Sequence, residues 1–172
     1  EDSGTNIFIA HIEDGILQRV TDEPDPPIAH SPTWSPDGTK IAYGCFNRSR
    51  EICTINVDGS NRTRLVPFYL LPTPSEPNWS PDGRKVAFTG PNNIYVMNSD
   101  GSDLQNLTNV SYEGYPGEIF SPRWSPNGLF LAYVRESRRD SLVYDIYIVN
   151  ADGSNHRNLT NAPDNLTQFR SP

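Results

Sequence analysis

Positive charge is what this chain has least of: 14 Lys and Arg stand against 21 Asp and Glu, for a net charge of −7. A phosphate-binding surface needs clustered Lys and Arg to displace counterions, so nucleic acid is excluded as the expected partner. The densest basic cluster, Arg135 to Arg139, is interrupted by Glu136 and followed by Asp140. It reads as a solvated loop. No run of about 18 apolar residues exists, so no helical membrane span is expected. The opening Glu1-Asp2-Ser3-Gly4-Thr5 has no basic, apolar, signal-like character, and reads as a mature form or an excerpt of a longer chain. With two cysteines and no Cys-x-x-Cys, zinc is not expected. Three histidines, His11, His30 and His156, are too scattered for a metalloprotease spacing, and neither a Gly-x-Ser-x-Gly elbow nor a Walker-type glycine loop is present. Most carboxylates belong to turns, as Asp37, Asp58, Asp82, Asp100 and Asp152 show. No catalytic residue, cofactor or metal is assigned.

Only 35% of the 172 residues are hydrophobic, while 16 prolines and 12 glycines recur at regular positions. That composition suits many short strands joined by turns. The regularity is a repeat: Trp34-Ser35-Pro36-Asp37-Gly38, Trp79-Ser80-Pro81-Asp82-Gly83 and Trp124-Ser125-Pro126-Asn127-Gly128, each tryptophan 45 residues after the last. A second phrase keeps step, with Asp58-Gly59-Ser60, Asp100-Gly101-Ser102 and Asp152-Gly153-Ser154. Self-similarity at this period marks stacked supersecondary units. Each unit reads as four strands, a to d. Pro-Asp-Gly makes the a–b turn, because Pro presets φ and Gly accepts a positive one. The later Asp-Gly pair is expected to make a two-residue c–d hairpin turn. Four antiparallel strands per 45 residues predict the blade of an all-β propeller.

The expected division is a c–d half-blade over 1–28, blades over 29–73, 74–118 and 119–166, and the start of another over 167–172. Such a stack, about three and a half blades, leaves faces and strand edges open. It is expected to be a piece of a longer propeller or to be completed by a partner chain.

The phrase Ser-Pro-x-Trp-Ser-Pro-Asp-Gly-x-x-Ile-Ala-Tyr (residues 31 to 43), with Ile-Tyr-Val-Met-Asn-x-Asp-Gly-Ser (94 to 102) and Leu-Thr (107 to 108), resembles the TolB-type β-propeller repeat. That repeat is similar to the WD repeat and to those of tricorn-type and prolyl-oligopeptidase-type propellers. The resemblance covers nearly the whole chain, with Asn127 in place of Asp as a mild departure. It implies a closed propeller of six or a similar number of blades that binds proteins, as in a periplasmic envelope system.

Trp34, Trp79 and Trp124, each beside an a–b turn, are expected to be structural packing residues rather than ligand-stacking aromatics, since a binding site rarely needs the same contact in every unit. Asn-x-Asp-Gly-Ser offers spaced oxygens, but a hairpin turn accounts for it without calcium. Cys45 and Cys53 lie symmetrically about Ser49, where a hairpin folded at that point sets them face to face; a disulfide is the expected state and two thiols the alternative. Seven Asn-x-Ser/Thr sequons occur. Asn47, Asn61, Asn109 and Asn165 fall in expected loops and are the glycosylation candidates, whereas Asn78, Asn106 and Asn158 belong to the structural phrases.

The expectation is a non-catalytic interaction or scaffold module, extracellular or periplasmic, with a protein partner or self-association through open blade ends and loops. The alternatives are a filament subunit completed in trans, and the accessory propeller of a peptidase or polysaccharide lyase.

Overall fold

The computed structural model describes residues 5–22, 29–46, 49–66, 70–71, 73–109, 118–136 and 144–160. These hold fourteen strands and no helix. A two-stranded sheet, β1 (Phe8–Ala10) and β2 (Leu17–Arg19), comes first. Three four-stranded antiparallel sheets follow in simple up-and-down order. Blade 1 is β3 (Ala29–Trp34), β4 (Lys40–Phe46), β5 (Arg50–Asn56) and β6 (Thr63–Val66). Blade 2 is β7 (Ser75–Trp79), β8 (Lys85–Gly90), β9 (Asn93–Asn98) and β10 (Gln105–Asn106). Blade 3 is β11 (Ile119–Trp124), β12 (Phe130–Glu136), β13 (Tyr144–Asn150) and β14 (Arg157–Asn158). The first strands neighbour one another, β3 with β7 and β7 with β11, and so line the axis of a partial β-propeller. The 167–172 segment lies outside the described residues.

The a–b turns owe their shape to a few short bonds. In blade 1, Gly38 N donates to Ser35 O, Ser35 Oγ donates to Asp37 Oδ1 at 2.6 Å, and Asp37 Oδ1 also accepts from Thr39 N at 3.0 Å. Blade 3 repeats this with Asn127 Oδ1 accepting from Ser125 Oγ at 2.7 Å and from Leu129 N at 3.1 Å. One acceptor oxygen suffices, so Asn replaces Asp without loss of the turn.

The c–d turns differ from the two-residue form expected of them. Gly59 N donates to Asn56 O, and Asn56 N donates to Ser60 O. Gly59 has φ 83° while Asp58 has no positive φ, which is a type I turn closed by a glycine bulge. Asp58 stays right-handed because its Oδ1 accepts from both Ser60 N and Ser60 Oγ. The chain then returns through a second left-handed residue, Asn61, Asp103 or Asn155. Glycine is needed here for space as well: a Cβ on Gly101 would stand 3.1 Å from Leu65 O of the preceding blade.

The core lies between blades. Ala42, Ile52, Leu65 and Val66 of blade 1 pack on Trp79, Val86, Phe88 and Met97 of blade 2. Ala87, Ile94, Val96 and Leu107 of blade 2 pack on Leu131, Tyr133 and Val149 of blade 3. Ile7 and Val20 of the two-stranded sheet meet Ile41, Tyr43, Cys45, Cys53 and Ile55. Each blade therefore has a leading face, which rests on the unit before it, and blades 1 and 2 have a trailing face, which the next unit covers. The Leu-Thr phrase serves this stacking. Leu107 fills the interface, and Thr108 Oγ1 accepts from Ile94 N at 3.1 Å while donating to Asn93 Oδ1 at 2.8 Å, clipping strand d to strand c.

Candidate functional site

The axial strands are bulged at one repeated place. Register shifts occur between His30 and Thr33, Ser75 and Asn78, and Phe120 and Arg123. Inside them Ser31, Glu76 and Ser121 take φ of 52°, 53° and 56°. Each precedes a proline, and the bulge re-aims its side chain. Two positions carry serine; the middle one carries Glu76. Its Oε2 accepts from Thr89 Oγ1 at 3.1 Å and from Ser121 N of the next blade at 2.6 Å. Beside it Asn78 Oδ1 accepts from Trp124 N at 2.9 Å, a second bond across blades.

Glu76 stands where two concavities meet. The larger, about 520 Å³, is lined by Arg50, Thr73, Ser75, Glu76, Thr89, Asn92, Glu118, Phe120 and Tyr144 among others. The smaller, about 230 Å³, runs along the axial strands between Ser31, Thr33, Glu76, Asn78 and Arg123. Phe120 and Tyr144 pack edge to face at 5.6 Å on the larger cleft. The cleft thus combines mixed charge, hydroxyls and an aromatic wall, a lining suited to holding an extended polar segment.

His30 is held below the ordinary imidazole range, chiefly by burial and then by Arg50, with Glu76 acting in the opposite sense. Gly44 leaves room for it, since a Cβ there would meet the imidazole at 2.2 Å. His30 Nδ1 lies 3.3 Å from Ser31 Oγ, but no carboxylate is bonded to the other ring nitrogen among the described residues. A nucleophile, base and orienting acid are therefore not assembled there.

On the opposite side, the a–b turns and tryptophans frame two equivalent interblade clefts. Trp79 with Asp37, Asp82 and Gly83 lines one, and Trp124 with Asp82, Asn127 and Gly128 lines the other. A Cβ on Gly83 would stand 3.7 Å from Pro36 Cδ, and one on Gly128 would stand 3.8 Å from Pro81 Cδ, so each turn rests on the one before. Trp79 is 7% exposed, Trp124 half-buried, and Trp34 50% exposed, a departure from packing in every unit. Among the described residues no turn lies within 4 Å of a Cβ built on Gly38, the counterpart of Gly83. The indole Nε1 atoms of Trp79 and Trp124 are buried without an acceptor among the described residues.

Cys45 and Cys53 are joined, with Cα atoms 5.8 Å apart. They are not directly opposite: Cys45 pairs with Glu51 and Cys53 with Tyr43. The hairpin folds one residue earlier than Ser49, and strand twist brings one diagonal close enough to bridge. Glu51 adjoins both sulfurs, and its buried Oε2 lies 2.7 Å from Arg64 Nε, an ion pair whose N–H is not aligned as a hydrogen bond. At the c–d turn Asn56 Nδ2 donates to Ser60 Oγ at 3.0 Å, and Ser60 Oγ donates to Asp58 Oδ1 at 2.6 Å. Asn61 and Asn109 are exposed, at φ 54° and 38°. Asn78 is engaged with Trp124, and Asn106 Oδ1 accepts from Asn109 N. Asn47 and Asn165 lie outside the described residues. The axial cleft itself was missed from sequence; its one signal is a glutamate at a position that is serine in the other two blades.

No family model matches the chain. It is 49% identical over 39 residues to the Tol-Pal system protein TolB of Thioalkalivibrio sulfidiphilus, a match covering 22% of this chain and 9% of that protein. A structure designated putative TolB from Agrobacterium tumefaciens superposes with a TM-score of 0.73 at 22% identity, covering 90% of this chain and 56% of that one. An oligogalacturonate lyase in complex with manganese superposes with a TM-score of 0.69 at 17% identity, covering 91% and 48%. The chain thus spans about half the length of these similar structures. What it shares with them is the fold, and this chain is an all-β, partial propeller with the fold of the TolB propellers.

Proposed function

We propose that the chain is a non-catalytic protein-interaction or scaffold module working outside the cytoplasm, and that a partner's extended segment lies in the axial cleft around Glu76. The carrying observation is that cleft: charge of both signs from Arg50, Glu76 and Glu118, with an aromatic wall, on a rigid set of strands. The Cys45–Cys53 bridge supports an oxidising compartment. Exposed Asn61 and Asn109 are the acceptors we propose for glycans there, as Asn47 and Asn165 are from sequence. Selection of a displayed peptide library on the full chain tests the reading. Binders are expected, and Arg50→Ala should weaken them about tenfold, about 1.4 kcal/mol. A reproducible hydrolase or lyase activity abolished by one cleft substitution would overturn it.

The second reading, an accessory propeller of a peptidase or polysaccharide lyase, rests on the fold shared with the oligogalacturonate lyase. An α/β-hydrolase segment downstream in the parent gene would favour it, and only further blades there would dismiss it.

A further inference from the structure

Blade 1 departs from the other units at one point of their common plan. Asn6, Asn93 and Asp145, which precede Ile7, Ile94 and Ile146, are each bonded to a strand-d threonine: Thr21 Oγ1 at 3.0 Å, Thr108 Oγ1 at 2.8 Å and Thr160 Oγ1 at 2.7 Å. The corresponding residue of blade 1 is Glu51, which precedes Ile52, the ladder partner of Val66. After Val66 the sequence has Pro67 where the other units have threonine, so that position supplies no hydroxyl to the Glu51 carboxylate.

Both cysteines of the chain belong to this blade. Cys45 is the ladder partner of Glu51, and Cys53 lies two residues beyond Glu51 on the same face of β5. One carboxylate oxygen of Glu51 and the two sulfurs all lie within 4.8 Å of one another. Cys45 and Cys53 are 0% exposed and Glu51 4%. Arg64, the ladder partner of Cys53, pairs with Glu51 Oε2 at 2.7 Å and reaches solvent, its side chain 43% exposed. A buried carboxylate must be neutralised, and Arg64 does this while the bridge is intact. Because that ion pair is not an aligned hydrogen bond, it fixes the charge of Glu51 more firmly than its direction.

The geometry points to a redox-gated site for a divalent cation of the zinc type, with Cys45 and Cys53 as thiolate ligands once the bridge is reduced and Glu51 as the carboxylate ligand. The bridge opens when an external dithiol gives two electrons to the S–S bond and is itself oxidised to a disulfide. The protons of the two new thiols pass to solvent as the cation binds. Zinc takes sulfur and carboxylate ligands tetrahedrally, with bonds of about 2.3 Å and 2.0–2.2 Å, which sets neighbouring ligands about 3.3–3.8 Å apart. Parting the sulfurs and turning the carboxylate inward reaches that spacing without moving either strand. Two thiolates, one carboxylate, the Arg64 guanidinium and a divalent cation carry no net charge together, so the loaded site meets the cost of burial. The fourth position faces the Arg64 side and is left to water. Two cysteines without a Cys-x-x-Cys carry no zinc signature in sequence, because the third ligand comes across the ladder. The site is independent of the axial cleft, so either can fail alone.

Zinc uptake by the full chain in its two redox states is the test. After reduction by a phosphine and removal of the reductant without air, the chain should bind one zinc ion with a Kd of about 1 µM or tighter, while the oxidised chain binds none at that concentration. In the reduced chain Glu51→Gln should weaken binding about tenfold and Cys45→Ser should abolish it. Circular dichroism of each reduced protein checks the fold. X-ray absorption at the zinc edge of the reduced wild type needs no variant, and should show two sulfur and two oxygen neighbours. A reduced wild type that loses its fold or binds no zinc, equal binding in the two redox states, binding by a folded Glu51→Gln variant as tight as that of the wild type, or a zinc shell with any other number of sulfurs would each overturn the proposal.

Discussion

The three tryptophans show how one residue type takes its energetic worth from its neighbours. Trp79 lies beneath a proline turn and against the trailing face of blade 1, so Trp79→Ala should cost about 3–5 kcal/mol through lost burial and the cavity left behind. Trp34 has the same sequence context but is 50% exposed, so Trp34→Ala in this chain should cost no more than about 1.5 kcal/mol. Urea unfolding of the two variants checks this; equal losses would contradict the packing described. The turn aspartates make a second residue-scale case. Asp37, Asp58, Asp82, Asp100 and Asp152 are held below the ordinary carboxylate value of 3.8, each chiefly by a serine hydroxyl. A depressed pKa stabilises the fold at pH values above the unfolded value, and that contribution is lost as pH falls through the folded value. Through these groups the thermal midpoint should fall below about pH 4, beyond the loss that begins near pH 6.5, where the unfolded imidazole of His30 protonates before the folded one. Asn127 shows that an amide also closes the turn, so the variant carrying Asp37→Asn and Asp82→Asn should fall less steeply. Parallel profiles for the two proteins would remove the turn aspartates as the cause.

At the scale of the element, much was legible because the repeat phrases encode turns, and turns delimit strands. Trp-Ser-Pro-Asp-Gly, with Asn127 for Asp in the third copy, placed the a–b hairpins of all three blades, and β-branched and aromatic runs placed strands b and c. The c–d turn was harder to read, since Asp-Gly serves both a two-residue turn and a type I turn with a glycine bulge. The choice lies with Ser60 and its counterparts, whose bonds to the aspartate keep that residue right-handed. The axial bulge left no composition signal, because serine and glutamate are not residues that announce a left-handed φ. Its effect on the candidate site is large all the same, since it is what carries Glu76 to the junction of the two concavities. The hairpin of β4 and β5 carries the bridge, which closes a loop of only 8 residues in sequence separation. Replacing both Cys45 and Cys53 with alanine should cost about 2 kcal/mol and loosen that hairpin without unstacking the blades. Denaturant unfolding together with hydrogen exchange checks this; loss of protection throughout blades 2 and 3 would show a wider role.

For the whole molecule, stability resides in the interfaces between blades more than within any one sheet. The interfaces of blade 1 with blade 2 and of blade 2 with blade 3 each combine an apolar trailing face with the tryptophan and aromatic leading face that follows, and bonds from Glu76 and Asn78 lock blade 2 to blade 3 at the axis. That same packing explains why the sequence was more informative about architecture than about function. Repeated residues build the scaffold and are visible by their period, whereas the axial cleft is made from positions where the blades differ: Glu76 among serines, Arg123 opposite Thr33 and Asn78, and Arg50 on a hairpin of its own. Hydrogen–deuterium exchange of the full chain, with and without a peptide selected on it, tests the central claim that this cleft is the binding surface. Protection is predicted at the amides of Glu76, Thr89 and Ser121 and along the start of β11, with the a–b turns unchanged; protection confined to the a–b turns and their tryptophans, with the axial amides unaffected, would contradict it.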